Sequence, residues 1–142
     1  MNVVDSCGWL EYFGNGANAD FFAPAIENTQ QLIVPHLVVY EVCKRLRQLY
    51  GDAGEAKGVS FLEKGHMSGG NLAVMRQAAM ASQLHKLAMA DAIIWQTAQT
   101  HQAKLYTQDV DLKDLPGVIF KAKPSLRPSV SPSIKPTKKG SK

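Results

Sequence analysis

The chain has 142 residues, of which 45% are hydrophobic, and a formal net charge of +4. This length suits one compact domain, and the hydrophobic fraction excludes a wholly disordered chain. No apolar run reaches the roughly 18–20 residues of a membrane span. The N-terminus lacks the basic start of a secretory signal, and two cysteines are too few for a disulfide scaffold. We expect a soluble, cytoplasmic protein that does not enter a membrane.

The positive charge lies at the C-terminus. Residues 121–142 hold seven of the 16 basic residues and none of the 12 acids, so residues 1–120 carry a net charge of −3. The same segment has a proline at every fourth position from Pro124 to Pro136, each followed by Ser or Thr. This spacing excludes a helix, because proline lacks an N–H group and clashes with the preceding turn. The sequence predicts a folded domain over residues 1–120 and a disordered, basic, Pro/Ser/Lys-rich tail over residues 121–142.

Before the tail, short apolar runs alternate with helical patterns. The apolar runs have the composition of strands buried on both faces of a parallel sheet, and they cover residues 3–4, 32–34, 105–106 and 118–120. An amphipathic stripe that includes Leu49 and Tyr50 predicts a helix over residues 37–50. The alternation indicates an α/β sandwich with a mainly parallel sheet. Pattern alone does not give the order of the strands.

Two further helices are predicted, over residues 71–82 and 90–101. Asn71 is placed to cap the first of them. Its apolar contacts are expected at Leu72, Met75, Ala79 and Met80, and Met89 is also expected in the core. The glycine-rich stretches 51–58 and 65–70 predict loops.

Four acids lie at the ends of these elements. Asp5 ends the first strand, Glu41 lies early in the helix after the second, Asp91 opens the last helix, and Asp109 follows the third strand. We expect them to meet, because the carboxyl ends of parallel strands line one crevice. Converging carboxylates repel each other unless a counter-charge is present, and an all-oxygen site suits Mg²⁺ or Mn²⁺. The sequence therefore predicts a divalent metal site, and such an ion can activate a water and stabilise the leaving oxygen in phosphodiester hydrolysis.

Each acid also has an ordinary structural interpretation. Glu41 has Lys44 and Arg45 three and four residues later, which is typical of a solvated helix pair. Asp91 is favoured at a helix start by the dipole, and Asp109 suits a turn. Four acids at four compatible element ends favour the metal site. Two interpretations stay open for the cations Lys44, Arg45 and Arg47, namely contact with phosphate groups and a solvated helix face.

Three segments carry a resemblance to the PIN-domain ribonucleases, in particular the VapC-type toxins of prokaryotic toxin–antitoxin pairs. The segments are VVDSCGWLEYF from residue 3, IVPHLVVYEVCKRL from residue 33, and LAMADAIIWQTAQTHQAKLYTQDVDLKDLPGV from residue 87. They match the four short motifs of that family in order and spacing, and the likeness covers residues 2–120.

The resemblance implies a three-layer α/β/α fold with strand order 3-2-1-4-5. It also implies an endoribonuclease that depends on Mg²⁺ or Mn²⁺, forms homodimers and is blocked by a cognate antitoxin. Asp5, Asp91 and Asp109 would hold the metal, and Glu41 would complete the acidic quartet by positioning the attacking water or a second metal. By position, Thr107 and Ser6 would lie next to the metal ligands and orient them without contacting the metal. Asp111 is a possible extra acid.

Other functions stay open at this point. A phosphatase of the haloacid-dehalogenase type also begins with a strand that ends in Asp, but it needs a second Asp two residues later, where this chain has Cys7. A receiver domain needs a lysine after a late strand, and no lysine is convincingly placed. A PIN-like module without catalysis, which binds nucleic acid or assembles with other proteins, is the remaining alternative. Cys7 and Cys43 are interpreted as small buried residues.

Overall fold

A computed structural model describes residues 1–125 of the chain. Its centre is a five-stranded sheet in the order β3-β2-β1-β4-β5 with every neighbouring pair parallel, which confirms the predicted fold class and strand order. The strands are β1 (Asn2–Val4), β2 (Leu32–Pro35), β3 (His66–Ser68), β4 (Lys104–Thr107) and β5 (Val118–Phe120). Most of the predicted tail, residues 126–142, lies outside the described residues.

Five helices connect the strands. They are α1 (Ser6–Phe13), α2 (Ala19–Glu27), α3 (His36–Leu62), α4 (Leu72–His85) and α5 (Met89–Thr100), with short 3₁₀ turns at Thr29–Gln31 and Val110–Leu112. Right-handed connections between parallel strands place α1–α3 on one face of the sheet and α4 and α5 on the other. In the described part of the chain, no helix has both the length and the apolar composition needed to cross a bilayer.

The central strands are buried on both faces, as their apolar composition predicts. Val3, Val4, Leu32, Val34 and Leu105 are inaccessible to solvent. The register pairs Val4 with Tyr106, so the residues that follow β1 and end β4 lie side by side at the carboxyl edge of the sheet. This alignment brings together side chains that are about 100 positions apart in the sequence.

The prediction of a loop over residues 65–70 is wrong for β3. Residues 66–68 pair in parallel with β2 at the edge of the sheet. His66 and Met67 are exposed, so the strand has no buried face to give it an apolar pattern. An edge strand of three residues is therefore invisible to a search for buried runs.

The prediction of a loop over residues 51–58 is also wrong, because nearly all of it is helical. Only Gly51 leaves helical geometry, with φ +73° and ψ −165°. The second arm of α3 folds back along the first, so that Arg47 forms ion pairs with Asp52, at 2.7 Å, and with Glu55. The arms approach so closely that a Cβ atom on Gly58 would collide with Leu46. Glycine thus marks a reversal between two helical arms.

The apolar face predicted for α4 is wrong. Its buried residues are Val74, Ala78 and Ala81, and the helix continues past residue 82 to His85. The expected core residues Leu72, Met75, Met80 and Met89 are exposed by 77%, 39%, 69% and 72%; Ala79 is exposed as well. Small residues face inward here because α4 packs closely on α5, and the larger apolar side chains point outward.

The stripe predicted for residues 37–50 is correct at its centre and wrong at its end. Val42 and Leu46 are buried, whereas Leu49 and Tyr50 are 48% and 60% exposed. Val38, which lies outside the predicted stripe, is fully buried in their line. The end of this helical arm therefore presents apolar side chains to solvent.

Close packing of α1 on α2 depends on Gly8. A Cβ atom on Gly8 would lie 2.6 Å from two ring carbons of Phe22 and 2.7 Å from Val4. We expect Gly8→Ala to lower the free energy of unfolding by about 1–3 kcal/mol through overpacking. Chemical denaturation measures the change. Gly14→Ala is the matched control, since its added Cβ would lie 3.2 Å from its nearest neighbour; equal stability of the two variants would contradict this account of the packing.

Candidate metal centre

Three of the four predicted acids meet at the carboxyl edge of the sheet. Asp5 follows β1, Asp91 lies in the first turn of α5, and Asp109 lies two residues beyond β4. Each offers a carboxylate oxygen within 4.8 Å of the oxygens of the other two. The predicted convergence of these three residues is therefore present in the fold.

Asp5 is the most firmly held of the three. It is 4% exposed and caps α1, where its Oδ1 accepts from the backbone N–H of Ser6 at 2.8 Å. Its Oδ2 accepts from the hydroxyl of Thr107 at 2.9 Å and from the thiol of Cys7 at 3.5 Å. Ser6 and Thr107 thus both hydrogen-bond to Asp5, Ser6 through its backbone N–H and Thr107 through its hydroxyl.

Thr107 also connects Asp5 to Asp109. Its side chain is fully buried, and its Oγ1 accepts from the backbone N–H of Asp109 at 3.0 Å while its hydroxyl proton goes to Asp5. Asp109 in turn accepts from the backbone N–H of Asp111 at 2.9 Å, which starts the short 3₁₀ turn. The second oxygen of Asp109 accepts no hydrogen bond within residues 1–125, so it is available to a ligand.

Asp91 lies among the other acids, and its carboxylate has no salt-bridge partner within residues 1–125. Burial, followed by the charges of Asp109 and Asp5, raises its pKa from 3.8 to about 7. Among the described residues no hydrogen bond reaches its carboxylate. Asp111, which is not one of the three clustered acids, contributes to this shift through its charge. A helix start favours an ionised aspartate, but at Asp91 burial and repulsion by the neighbouring acids outweigh this effect.

Glu41 borders the cluster from α3. Partial burial raises its pKa, the Ser6 side chain acts in the opposite direction, and the Asp5 charge raises it further. Burial also raises the pKa of Asp5 itself, against the lowering effect of its three hydrogen bonds. Glu41 therefore lies close enough to Asp5 for their charges to interact, and the ion pairs within residues 1–125 involve none of the four predicted acids.

Cys7 is the site residue that the sequence analysis missed. It is half-buried, with its sulfur 3.5 Å from Asp5 Oδ2 and 3.6 Å from Thr107 Oγ1. Burial, together with the Asp5 charge, raises its pKa from 9.0 to about 12, so the thiol is neutral and donates to Asp5. Its position two residues after a strand-ending acid, in the first turn of α1, was the available signal.

The donor set suits a hard divalent cation. Oxygen ligands of one Mg²⁺ lie about 2.0–2.1 Å from the ion and hence at most about 4.2 Å from each other. Oxygens within 4.8 Å of one another approach this limit, so a small rotation of one carboxylate or a bridging water is sufficient. Within residues 1–125 no salt bridge reaches these three acids, so they supply negative charge that such an ion neutralises.

Comparison with known proteins identifies the same fold. The PIN domain family model matches residues 3–118. A toxin–antitoxin complex from Klebsiella pneumoniae contains a similar chain, with 22% identity, a TM-score of 0.72, and coverage of 84% of this chain and 96% of that one. VapC20 of Mycobacterium tuberculosis, described as a sarcin-ricin loop cleaving toxin, is 14% identical over 80% of this chain and 93% of its own, with a TM-score of 0.67.

A third similar structure is VapBC2 from Rickettsia felis bound to a DNA fragment from its promoter. It is 12% identical over 85% of this chain and 97% of its own, with a TM-score of 0.66. No curated protein gives a significant match to the chain. At these identities the structural likeness establishes the fold, and the family match extends over most of the chain.

The raised pKa of Asp91 makes the metal-free protein sensitive to pH. Between about pH 4 and pH 7 the unfolded carboxylate ionises while the folded one keeps its proton, because the folded pKa is about 7 against 3.8. Stability therefore falls as pH rises through this range and levels off above it. We expect the free energy of unfolding of Asp91→Asn to fall by about 1–2 kcal/mol less than that of the wild type over this pH range. The size of the effect allows for the half-exposed side chain.

Thermal unfolding in EDTA at several pH values measures this effect. Asp20→Asn, which changes an exposed acid on α2, is the control and should keep the wild-type pH dependence. The interpretation is wrong if Asp91→Asn follows the same curve as the wild type. Asp5 and Glu41 shift in the same direction, so part of the slope remains in the variant.

Proposed function

The chain belongs to the PIN domain family, and from this premise we propose that it is a divalent-metal-dependent endoribonuclease, the toxin of a type II toxin–antitoxin pair. One observation carries the proposal: three carboxylates from remote segments offer oxygens within 4.8 Å of one another. Such a cluster is unfavourable without a cation, and its position at the carboxyl edge of a parallel sheet is where ligands bind.

The proposed metal ligands are Asp5, Asp91 and Asp109. A bound Mg²⁺ or Mn²⁺ would supply charge to stabilise the leaving oxygen and would lower the pKa of a coordinated water. An ionised carboxylate has about four lone-pair sites. Ser6, Thr107 and Cys7 occupy three of these sites on Asp5, so one lone-pair site remains for an ion.

Glu41 is proposed to position the attacking water or a second metal. Its raised pKa makes it a better proton acceptor than an exposed glutamate. Thr107 orients Asp5 and Asp109 through one hydroxyl, and Ser6 supports Asp5. Asp111 adds negative charge at the rim of the crevice, and its part in catalysis stays a prediction.

RNA and a cognate antitoxin are the proposed partners. The solved complexes of similar chains are described as toxin–antitoxin complexes, and VapC20 is described as a toxin that cleaves the sarcin-ricin loop. An antitoxin would neutralise the enzyme by covering the acidic crevice, and a basic side chain is the natural complement of that crevice. The division into a domain over residues 1–120 and a tail over residues 121–142 remains part of the proposal.

A homodimer is proposed on the evidence of α4 and the start of α5. Four large apolar side chains on this surface are more than two thirds exposed, namely Leu72, Met80, Leu84 and Met89. A stable protein rarely leaves such a patch in water, and a second copy of the chain would bury it.

Catalysis is tested by RNA cleavage with Mg²⁺ or Mn²⁺. We expect EDTA to abolish cleavage and Asp5→Asn to reduce its rate by at least about 100-fold, because the variant loses a charged ligand at constant size. Asp20→Asn, which changes an exposed acid outside the cluster of three carboxylates, is the matched control and should retain the wild-type rate.

Mn²⁺ titration distinguishes the enzyme from a silent PIN-like module. The enzyme binds Mn²⁺ more tightly than Asp5→Asn does and cleaves RNA. A silent module leaves RNA intact and binds the ion no better than the variant. Cleavage by Asp5→Asn at the wild-type rate would refute the assignment of Asp5.

The dimer is tested by the mass of the protein in solution. Replacing both Met80 and Leu84 with Glu places two charges in the apolar patch, so we expect the mass to fall to that of the 15.5 kDa monomer. Light scattering after size exclusion measures it. Tyr50→Glu alters another exposed side chain, on α3, and should leave the mass unchanged; a monomeric wild type would contradict the proposal.

A further inference from the structure

A groove leads away from the carboxylates between α1 and α3. It encloses about 280 Å³, and at one end it is lined by Cys7 and Gln108, the neighbours of Asp5 and Asp109. At the other end it reaches Leu49 and Tyr50, which are exposed at the bend of α3. The groove therefore reaches residues that adjoin the carboxylates, and its lining includes side chains that are exposed to solvent.

Two cations from different parts of the chain line this groove. Arg45 comes from α3, and Lys123 comes from the segment that follows β5. Within residues 1–125 neither forms a salt bridge, and Arg45 donates only to the amide oxygen of Gln48 at 3.2 Å. Arg47 provides the contrast, since it is occupied by Asp52 and Glu55.

The position of Lys123 is fixed by hydrogen bonds just before it. The backbone N–H of Lys121 donates to Thr107 at 3.0 Å, and the side chain of Asn18 donates to the carbonyl of Ala122 at 3.1 Å. Asn18 also donates to Gln108 at 3.0 Å. The acid on this surface, Glu11, accepts from the backbone N–H of Asn18 at 2.8 Å and is turned towards the α1–α2 loop.

The far end of the groove offers a stacking surface. Tyr50 is 60% exposed, and it also lines the adjoining cavity with Phe13 and Lys57. Exposed aromatic rings next to cations are typical of single-stranded nucleic-acid sites, where phosphates meet the cations and bases stack on the rings. An acidic crevice repels RNA, so affinity has to come from groups of this kind outside it.

We infer that single-stranded RNA lies along this groove, with a phosphate next to the scissile one held between Arg45 and Lys123, and a base stacked on Tyr50. The inference rests on the proposed ribonuclease function and deepens it by naming residues that bind substrate. Arg45, Lys123 and Tyr50 then contribute to affinity and take no part in the reaction at the carboxylates.

The experiment measures binding of a fluorescent oligouridylate at several salt concentrations, in an Asp5→Asn background that prevents cleavage. We expect Arg45→Gln and Lys123→Gln each to weaken binding about tenfold and to reduce the salt slope by about 0.7 log unit per lost phosphate contact. In the otherwise wild-type enzyme the same substitutions should raise KM and leave kcat unchanged. Tyr50→Ala should weaken binding about tenfold, and Tyr50→Phe should restore it.

Two matched controls separate this site from general positive charge. Arg47→Gln removes a cation that is already paired on the same helix, and Lys104→Gln removes one at the start of β4, the opposite edge of the sheet. Both should keep the wild-type affinity and salt slope. Equal losses in the controls and in Arg45→Gln would overturn the inference.

The outcomes distinguish failure of the proposed RNA-binding groove from failure of the proposed ribonuclease function. If the wild type cleaves RNA but the Arg45 and Lys123 variants bind with unchanged affinity and slope, the groove is not the RNA site and the ribonuclease function stands. If those variants instead lose only a protein partner, the groove is a protein-binding surface and the inference is wrong. If the wild type itself neither binds nor cleaves RNA, the proposed function fails and the inference fails with it.

Discussion

The hydroxyl of Thr107 is the contact on which the candidate metal centre depends. It donates to Asp5 at 2.9 Å and accepts from the backbone N–H of Asp109 at 3.0 Å, so one buried group sets the positions of two acids. It can do so because the parallel register of β1 and β4 aligns the ends of these two strands. The register of the sheet therefore determines where carboxylates that are remote in sequence lie relative to each other.

The same arrangement holds the protein in an electrostatically unfavourable state without a cation. Burial and neighbouring acids raise the pKa of Asp91 to about 7, and Asp5 and Glu41 are shifted in the same direction. The carboxyl edge of the sheet is therefore less stable than it would be with neutral side chains. Stability is lower at a place where a bound ion would restore it, which is typical of a functional site.

Features with large burial or strong charge could be predicted from the sequence, and features without them could not. The runs around Val3 and Leu105 mark central strands because both faces are covered. The edge strand β3 is exposed and leaves no such trace. In α4, close packing selects Ala78 and Ala81 for the interior, so a search for large apolar residues finds the outer face instead. The reversal at Gly51 depends on a single positive φ angle, which glycine permits but does not require.

The residue at position 7 bears on whether Asp5 binds a metal or acts as the nucleophile of a phosphatase. A phosphatase of the haloacid-dehalogenase type needs a second carboxylate at this position to act as acid and base. The thiol found here has a pKa of about 12, stays neutral, and donates to Asp5. A carboxylate in its place would add another charge beside acids that already repel each other, whereas a donor stabilises the ionised form of Asp5. The hydrogen bonds around Asp5 therefore suit an aspartate that remains charged. The thiol at position 7 supplies no carboxylate to act as acid and base, which argues against the phosphatase chemistry.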